Sequence, residues 1–237
     1  RIQRRHVGNE CFLLNNFNLA QLLAEEWPKD FEDYREKLPP YTLTVVIAGG
    51  PRRPLERIAY EEEALNEIAA ELLFQPAATV AGIAGLQDIM IEKLRSPQKE
   101  DSYWKTRYKG SSQDIFFITT MDRAGDFQRK VMEVCTRFNY PARDVGVYLQ
   151  PMERGRACHL EFSFPCDLAS NKEREQTGEL YRCLSEELMA MGAFFSRPYG
   201  IWADMVYRRS TTYTATLKEL KKVFDPNNIL NPGKLCY

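Results

Sequence analysis

The chain ends on FDPNNILNPGKLCY, and no other stretch narrows its fold as far. Residues 213–224 just before it set apolar side chains and lysines on opposite sides, as an amphipathic helix does. Asp225-Pro226 then stops that helix, because proline biases the preceding residue away from helical dihedrals. Asn227 and Asn228 accept the turn and left-handed conformations that follow a helix end. Ile229 and Leu230 are expected to pack inward, and Asn231-Pro232-Gly233 turns the backbone again beside Lys234. This pattern predicts a docked tail rather than a frayed one. Upstream, residues 192–200 (GAFFSRPYG) carry an aromatic pair and Arg197 to the start of a helix.

With 237 residues, 44% of them apolar, the chain can bury a sizeable core as one large or two small domains. A net charge of -1 supplies no basic field, which argues against nucleic acid or an anionic membrane as the main partner. No apolar run is long enough to span a bilayer, and residues 1–14 lack the plan of a signal peptide. Six cysteines without a CxxC pair, and only two histidines, His6 and His159, argue for reduced cytoplasmic thiols and against structural zinc. The opening RIQRRHVGNECFLL reads as the interior of a longer protein.

Along the chain, residues 10–26 follow a helical apolar period, with Asn15 and Asn16 as possible caps, until Trp27-Pro28 interrupts it. Residues 30–36 are a charged stretch. YTLTVVIA (41–48) is β-branched and runs into Gly49-Gly50-Pro51, so it predicts a strand and then a loop, with an amphipathic helix over 58–74. Residues 75–108 carry no clear assignment beyond weak helical character at 87–94 and a polar loop at 97–102. Further on, 114–120, 145–150 and 157–164 predict strands, and 124–138 and 168–191 predict helices. The order describes an α+β fold, a ferredoxin-like antiparallel sheet with helices packed on one face, followed by a C-terminal helical tail. The glycine pairs at 49–50 and 82–85 lack the strand-turn-helix setting of a nucleotide-binding fingerprint.

DPNNILNPGK resembles the C-terminus of the FAD-linked oxidoreductases, the family of glycolate oxidase, D-lactate dehydrogenase, 4-cresol dehydrogenase and vanillyl-alcohol oxidase. The resemblance implies a substrate-cap domain over residues 1–191 and a segment, 192–237, that returns to an FAD-binding domain on other polypeptide. In the hydroxy-acid branch the strand matching 157–164 follows a GDGNLH motif, and the segment matching 195–201 carries a glutamate-histidine pair before a GIG turn. Here those segments read GRACHLEF and FSRPYGIW, so His159 keeps no companion metal ligands and no metal is expected.

The phenol-oxidising branch matches better. Its arginine beside the flavin corresponds to Arg197, and its pocket strand to His159, Leu160 and Phe162. By strand alternation, Leu160 and Phe162 are expected to line the pocket while His159 and Glu161 face away. Hydride removal from a carbon para to a phenol oxygen is favoured when that oxygen is ionised, and a guanidinium in a dry site holds it so. Arg197 takes that role, and Phe195, Ser196 and Tyr199 join Leu160 and Phe162 as substrate contacts. Ser196 stands where relatives carry a tyrosine. Some relatives attach the flavin covalently through a histidine or tyrosine; the matching position is Asp114, which implies noncovalent FAD. Asp114, His159, Asn231 and Lys234 are the residues the resemblance places near the cofactor.

That gives an oxidoreductase acting on a 4-alkylphenol or benzylic alcohol, with an electron-acceptor protein and a homo-oligomeric, cytoplasmic setting. The alternatives are a D-2-hydroxy-acid dehydrogenase with replaced metal ligands, and a noncatalytic subunit of a flavoprotein complex. A plain structural reading of the cluster pairs Arg197 with Asp204 or Glu161 and makes the aromatics core. Cys158 beside His159 is not a nucleophile-base pair, since adjacent strand residues face opposite sides. Cys135 and Cys183 are expected in the core.

Overall fold

Alternation of apolar residues on three adjacent strands creates one side that must be buried, and two long helices bury it. The computed structural model describes residues 1–96 and 103–234, so the polar loop expected at 97–102, like Cys236, lies outside the described residues. Among them the strands are β1 (Glu10–Asn15), β2 (Tyr41–Val46), β3 (Ser111–Thr120), β4 (Gly146–Met152) and β5 (Ala157–Cys166). They form one antiparallel sheet in the order β2-β1-β4-β5-β3. The helices are α1 (Asn16–Leu23), α2 (Lys29–Lys37), α3 (Pro54–Glu71), α4 (Gln87–Arg95), α5 (Ala124–Arg137), α6 (Asn171–Ala190), α7 (Ile201–Arg209) and α8 (Thr211–Phe224).

The β4-β5 and β3-β5 registers put Val147, Phe162 and Ile115 in one cross-strand row and Leu149, Leu160 and Phe117 in the next. α5 meets these rows with Phe127, Val131 and Val134, and α6 with Leu180, Leu184 and Leu188. All of the helix residues in that set are fully buried. Burial of one such Leu or Phe contributes about 1.5–3 kcal/mol, so this layer carries most of the fold's stability. Ala193, Phe195 and Trp202 belong to the same core, and the Trp202 indole N–H donates to Ser185 Oγ at 2.8 Å. Packing therefore runs unbroken through position 191 and changes only at α8, where no helix residue is buried.

A second apolar cluster covers part of the opposite sheet face. Phe12 and Leu14 of β1 pack with Phe17, Leu19, Leu22 and Leu23 of α1, Phe31 of α2, Met90 of α4 and Trp104. Gly146 makes this approach possible: a Cβ there would lie 2.2 Å from Asn18 Oδ1. Arg35 of α2 reaches through the cluster to Asp144 at 2.6 Å, its guanidinium over Phe17 at 4.9 Å. Both partners are nearly buried, so they must be paired.

Two expectations change here. Residues 10–15 are a strand, not the first turns of a helix: Asn15 ends β1 and caps α1, its side chain accepting the Asn18 N–H at 3.1 Å. The tail is ordered differently as well. Asp225 accepts the backbone N–H groups of Ile229 at 2.9 Å and Leu230 at 2.8 Å, which fixes the turn, yet Ile229 and Leu230 are 74% and 58% exposed rather than packed inward.

Candidate functional site

The opposite face of β3, β4 and β5 carries a different set of residues. Register puts Leu14, Tyr148, Glu161 and Phe116 in one row across the sheet and Gln150, His159 and Ile118 in the next. The His159 ring stacks near Phe116 at 5.8 Å and meets Tyr148 edge-on at 6.0 Å. Strand alternation alone generates this aromatic strip, because Phe117, Leu160 and Leu149 take the inner positions.

Residues 192–200 fold against the edge of this face. Phe194 exchanges two backbone hydrogen bonds with Ile118, at 2.9 and 3.0 Å, extending the sheet by one bridge beyond β3. The bridge sends Phe195 into the core and leaves Phe194 outside. Further along, the Arg197 guanidinium lies 5.1 Å from the Phe116 ring centre, a cation-π contact. Tyr199 touches Phe116 at 6.2 Å and Trp202 at 5.4 Å. Arg197 is exposed. Asp204 faces Arg208 instead, at 3.8 Å, and Glu161 is bound by Lys105 and lies 3.7 Å from His159. Among the described residues, no carboxylate pairs with Arg197, so the plain pairing with Asp204 or Glu161 does not hold.

Next to the strip sits an ion cluster. The Lys105 ammonium, on the short 3-10 turn Trp104–Thr106, donates to Asp114 Oδ2 at 3.0 Å and to Glu161 Oε1, and Ser112 Oγ donates to Asp114 Oδ1 at 2.7 Å. Burial works against the lysine charge, but Glu161 and Asp114 outweigh it and hold the ammonium above the ordinary lysine range. Burial likewise pushes the Glu161 carboxyl up, and the neighbouring His159 imidazole and the Lys105 ammonium more than offset it, leaving it below the usual carboxylate range. Tyr148 is pushed up to about 12, chiefly by burial and then by Glu161. Leu14, Leu94, Tyr103, Trp104, Tyr148 and Glu161 line a cleft of about 230 Å³ beside this cluster. A larger concavity, about 700 Å³, is an open charged groove along one exposed side of α6 and encloses nothing.

Leu160, Phe162 and Phe195 are 2%, 0% and 3% exposed between sheet and helices, so they cannot line a pocket; any added polypeptide would bury them further. The two faces of β5 are thus reversed from expectation, and it is His159 and Glu161 that face the open side. Arg197, Ser196 and Tyr199 lie on the segment beside that face, and Asp114 belongs to its ion cluster. Asn231 and Lys234 are joined by a backbone bond of 3.3 Å on the exposed tail, whose named hydrogen bonds run within itself and to α8. Lys105, Phe116 and Tyr148 were not anticipated. Among the described residues, no three His, Cys, Asp or Glu gather as metal ligands would.

The antiparallel sheet thus has one face under helices and another carrying an exposed cation, an imidazole and aromatic rings. Residues 153–235 match the family "FAD linked oxidases, C-terminal domain". Over that stretch the chain is similar to the C-terminal domain of FAD-linked oxidases. Its fold is shared with p-cresol methylhydroxylase with substrate bound (TM-score 0.63, 13% identity, 98% of this chain and 48% of that one). It is shared also with 4-ethylphenol oxidase from Gulosibacter chungangensis in an isoeugenol complex (TM-score 0.60, 14% identity, 95% and 47%). Alkyldihydroxyacetonephosphate synthase is similar over 98% of this chain and 40% of that one (TM-score 0.53, 10% identity). The chain thus spans about half the length of these proteins, or less. No curated protein matches the sequence itself.

Proposed function

We propose that this chain forms the substrate side of an FAD-dependent oxidoreductase that removes a hydride from a small aromatic substrate, a 4-alkylphenol or benzylic alcohol. The observation that carries the reading is Arg197, an exposed guanidinium above an aromatic ring on the sheet face away from α5 and α6, with no carboxylate paired to it among the described residues. The family match supports the flavin, and the phenol-acting proteins among the structural relatives support the substrate class.

The residues fit one side of a planar cofactor. Phe116, His159 and Tyr148 form an aromatic strip of the right character, while the glycine-rich turn that cradles a pyrophosphate is not found among the described residues, so that part of FAD would be held by other polypeptide. FAD, when bound, supplies the hydride acceptor. Arg197 would bind the substrate oxygen and favour its anionic form, which donates electrons toward the carbon losing hydride. Ser196 and Tyr199 would flank that oxygen. Phe116, Tyr199 and Tyr148 would orient the ring and exclude water. Asp114, held by Lys105 and Ser112, would contact the flavin noncovalently. The exposed Val223, Phe224, Ile229 and Leu230 would dock the tail, with Asn231 and Lys234, on the flavin-binding polypeptide. An electron-acceptor protein, a homo-oligomeric assembly and a cytoplasmic setting belong to the same reading.

The test is turnover by the complete flavoprotein with an artificial electron acceptor, comparing 4-alkylphenols and 4-hydroxybenzyl alcohol with D-lactate and glycolate. Oxidation of the phenols that collapses in Arg197→Met supports the reading. Oxidation of the hydroxy acids alone, or of neither class, would overturn it.

A further inference from the structure

A lysine side chain that has lost its water needs counter-charge in its place. Lys105, 7% exposed, has two carboxylates for that purpose, and they come from different strands: Asp114 of β3 and Glu161 of β5. The cluster is polarised. Asp114 keeps a side chain 27% exposed, whereas Glu161 is more enclosed and turns its second oxygen toward His159 Nε2, 3.7 Å away. A lysine serving only to hold its own segment would need one of these partners. The arrangement instead spends its charge on a carboxylate whose remaining oxygen faces the aromatic strip under Arg197.

We propose that Lys105 is a positioning residue: it keeps Glu161 ionised and aimed at His159 on the substrate-facing side of the sheet, and so sets the acid limit of turnover. This rests on the reading of that face as the substrate side. The groups around Glu161 support it. His159 is on its own strand; Asp114, from β3, shares its lysine; Tyr148, from β4, lies directly across; Tyr103 precedes the lysine; and Lys93 of α4 lines the same cleft. Arg197 sits over Phe116, the cross-strand neighbour of Glu161. With Lys105 present, two carboxylates and one ammonium leave a single net negative charge between them. Without it, two like charges share a buried site, and one of them takes up a proton at a higher pH.

The experiment uses this chain labelled with 13C at the glutamate carboxyl carbon, the Glu161 signal being identified by its loss in Glu161→Gln. In the wild-type protein that signal is expected to keep its carboxylate position from pH 8 to pH 5. In Lys105→Met its midpoint is expected to rise by more than about one pH unit, a tenfold change in acid dissociation. A folded Lys105→Met, judged by circular dichroism, whose Glu161 signal does not move overturns the proposal. Should Lys105→Met not fold, Asp114→Asn decides: relieved of its competitor for the lysine, Glu161 should titrate lower, and an unchanged midpoint is the contrary result. In the complete enzyme the acid limb of kcat/KM should shift with the carbon signal, and a limb that stays in place while the signal moves rejects the role in turnover. Absence of phenol oxidation in the wild-type enzyme would instead remove the proposed function and leave the carboxyl titration standing.

Discussion

The two faces of β3 and β5 are built from alternate residues of the same strands, yet they do opposite work. Toward the helices point Ile115, Phe117, Leu160 and Phe162, none more than 2% exposed. Away from them point Asp114, Phe116, His159 and Glu161, with charges, an imidazole and partial exposure. The inner set has one physical requirement, dense apolar contact, and meets it with interchangeable hydrophobes. The outer set has several requirements at once, and each of its members is tied to a particular partner. Apolar packing and polar pairing are thus separated by a single step along the backbone.

The sharpest test of this division is to exchange perturbations between the faces. Phe162→Ala removes a fully buried ring and is expected to cost about 3–5 kcal/mol in urea unfolding of the chain. Arg197→Met, on the other face, should lower phenol turnover by the complete enzyme by about a hundredfold to a thousandfold, with the unfolding midpoint of the chain unchanged. If Arg197→Met also unfolds the protein, the two faces are not independent. Trp202→Phe tests the seam between them. Its indole N–H bonds to Ser185 in the core while its ring meets Phe116 on the open side at 5.2 Å, so it should cost about 1 kcal/mol in stability and weaken phenol binding in the complete enzyme.

How much of this was legible follows from the same contrast. Strands β3, β4 and β5 and helices α5 and α6 could be read because each has a clear period and a turn signal at its ends, as in the corner Glu153–Gly155 between β4 and β5. β1 could not, since ECFLLNNFNLAQLL is apolar enough to satisfy a helical period through the strand, and no glycine or proline separates the two elements. α2 (KDFEDYREK) was hidden by its charge: Phe31 and Arg35 alone are buried there. On β5 the alternation predicts two faces but not which is covered; that depends on where α5 and α6 settle, and both faces carry aromatic neighbours. Lys105 had no local signal, because its partners are 9 and 56 residues away.

Smaller effects probe the periphery. Asp225 is lowered to about 2, first by its Lys221 hydrogen bond and then by the Leu230 and Ile229 N–H groups, against the opposing effect of burial. A carboxyl depressed in the folded state stabilises above its unfolded pKa, about 3.9, and that contribution fades as pH falls toward 2. Amide exchange protection at Ile229 and Leu230 should therefore hold at pH 5 and fall near pH 2, and Asp225→Asn should lose it at every pH. Finally, burial raises the Cys158 thiol to about 11 and the Cys135 thiol to about 12. Neither should react with a disulfide reagent at pH 7.5 until the chain is unfolded, whereas early labelling of Cys158 would put its strand face in contact with solvent.

Trp202 gives the protein a reporter of its own. Its indole is sealed from water yet leans on Tyr199 and on Phe116, the ring beneath the Arg197 guanidinium. Anything that slides between those rings changes the electric field at the indole, and its emission colour with it. Measured against Trp202→Phe, which leaves only the emission of Trp27 and Trp104, occupancy of the outer face can thus be followed in a fluorimeter with no label and without waiting for a single turnover.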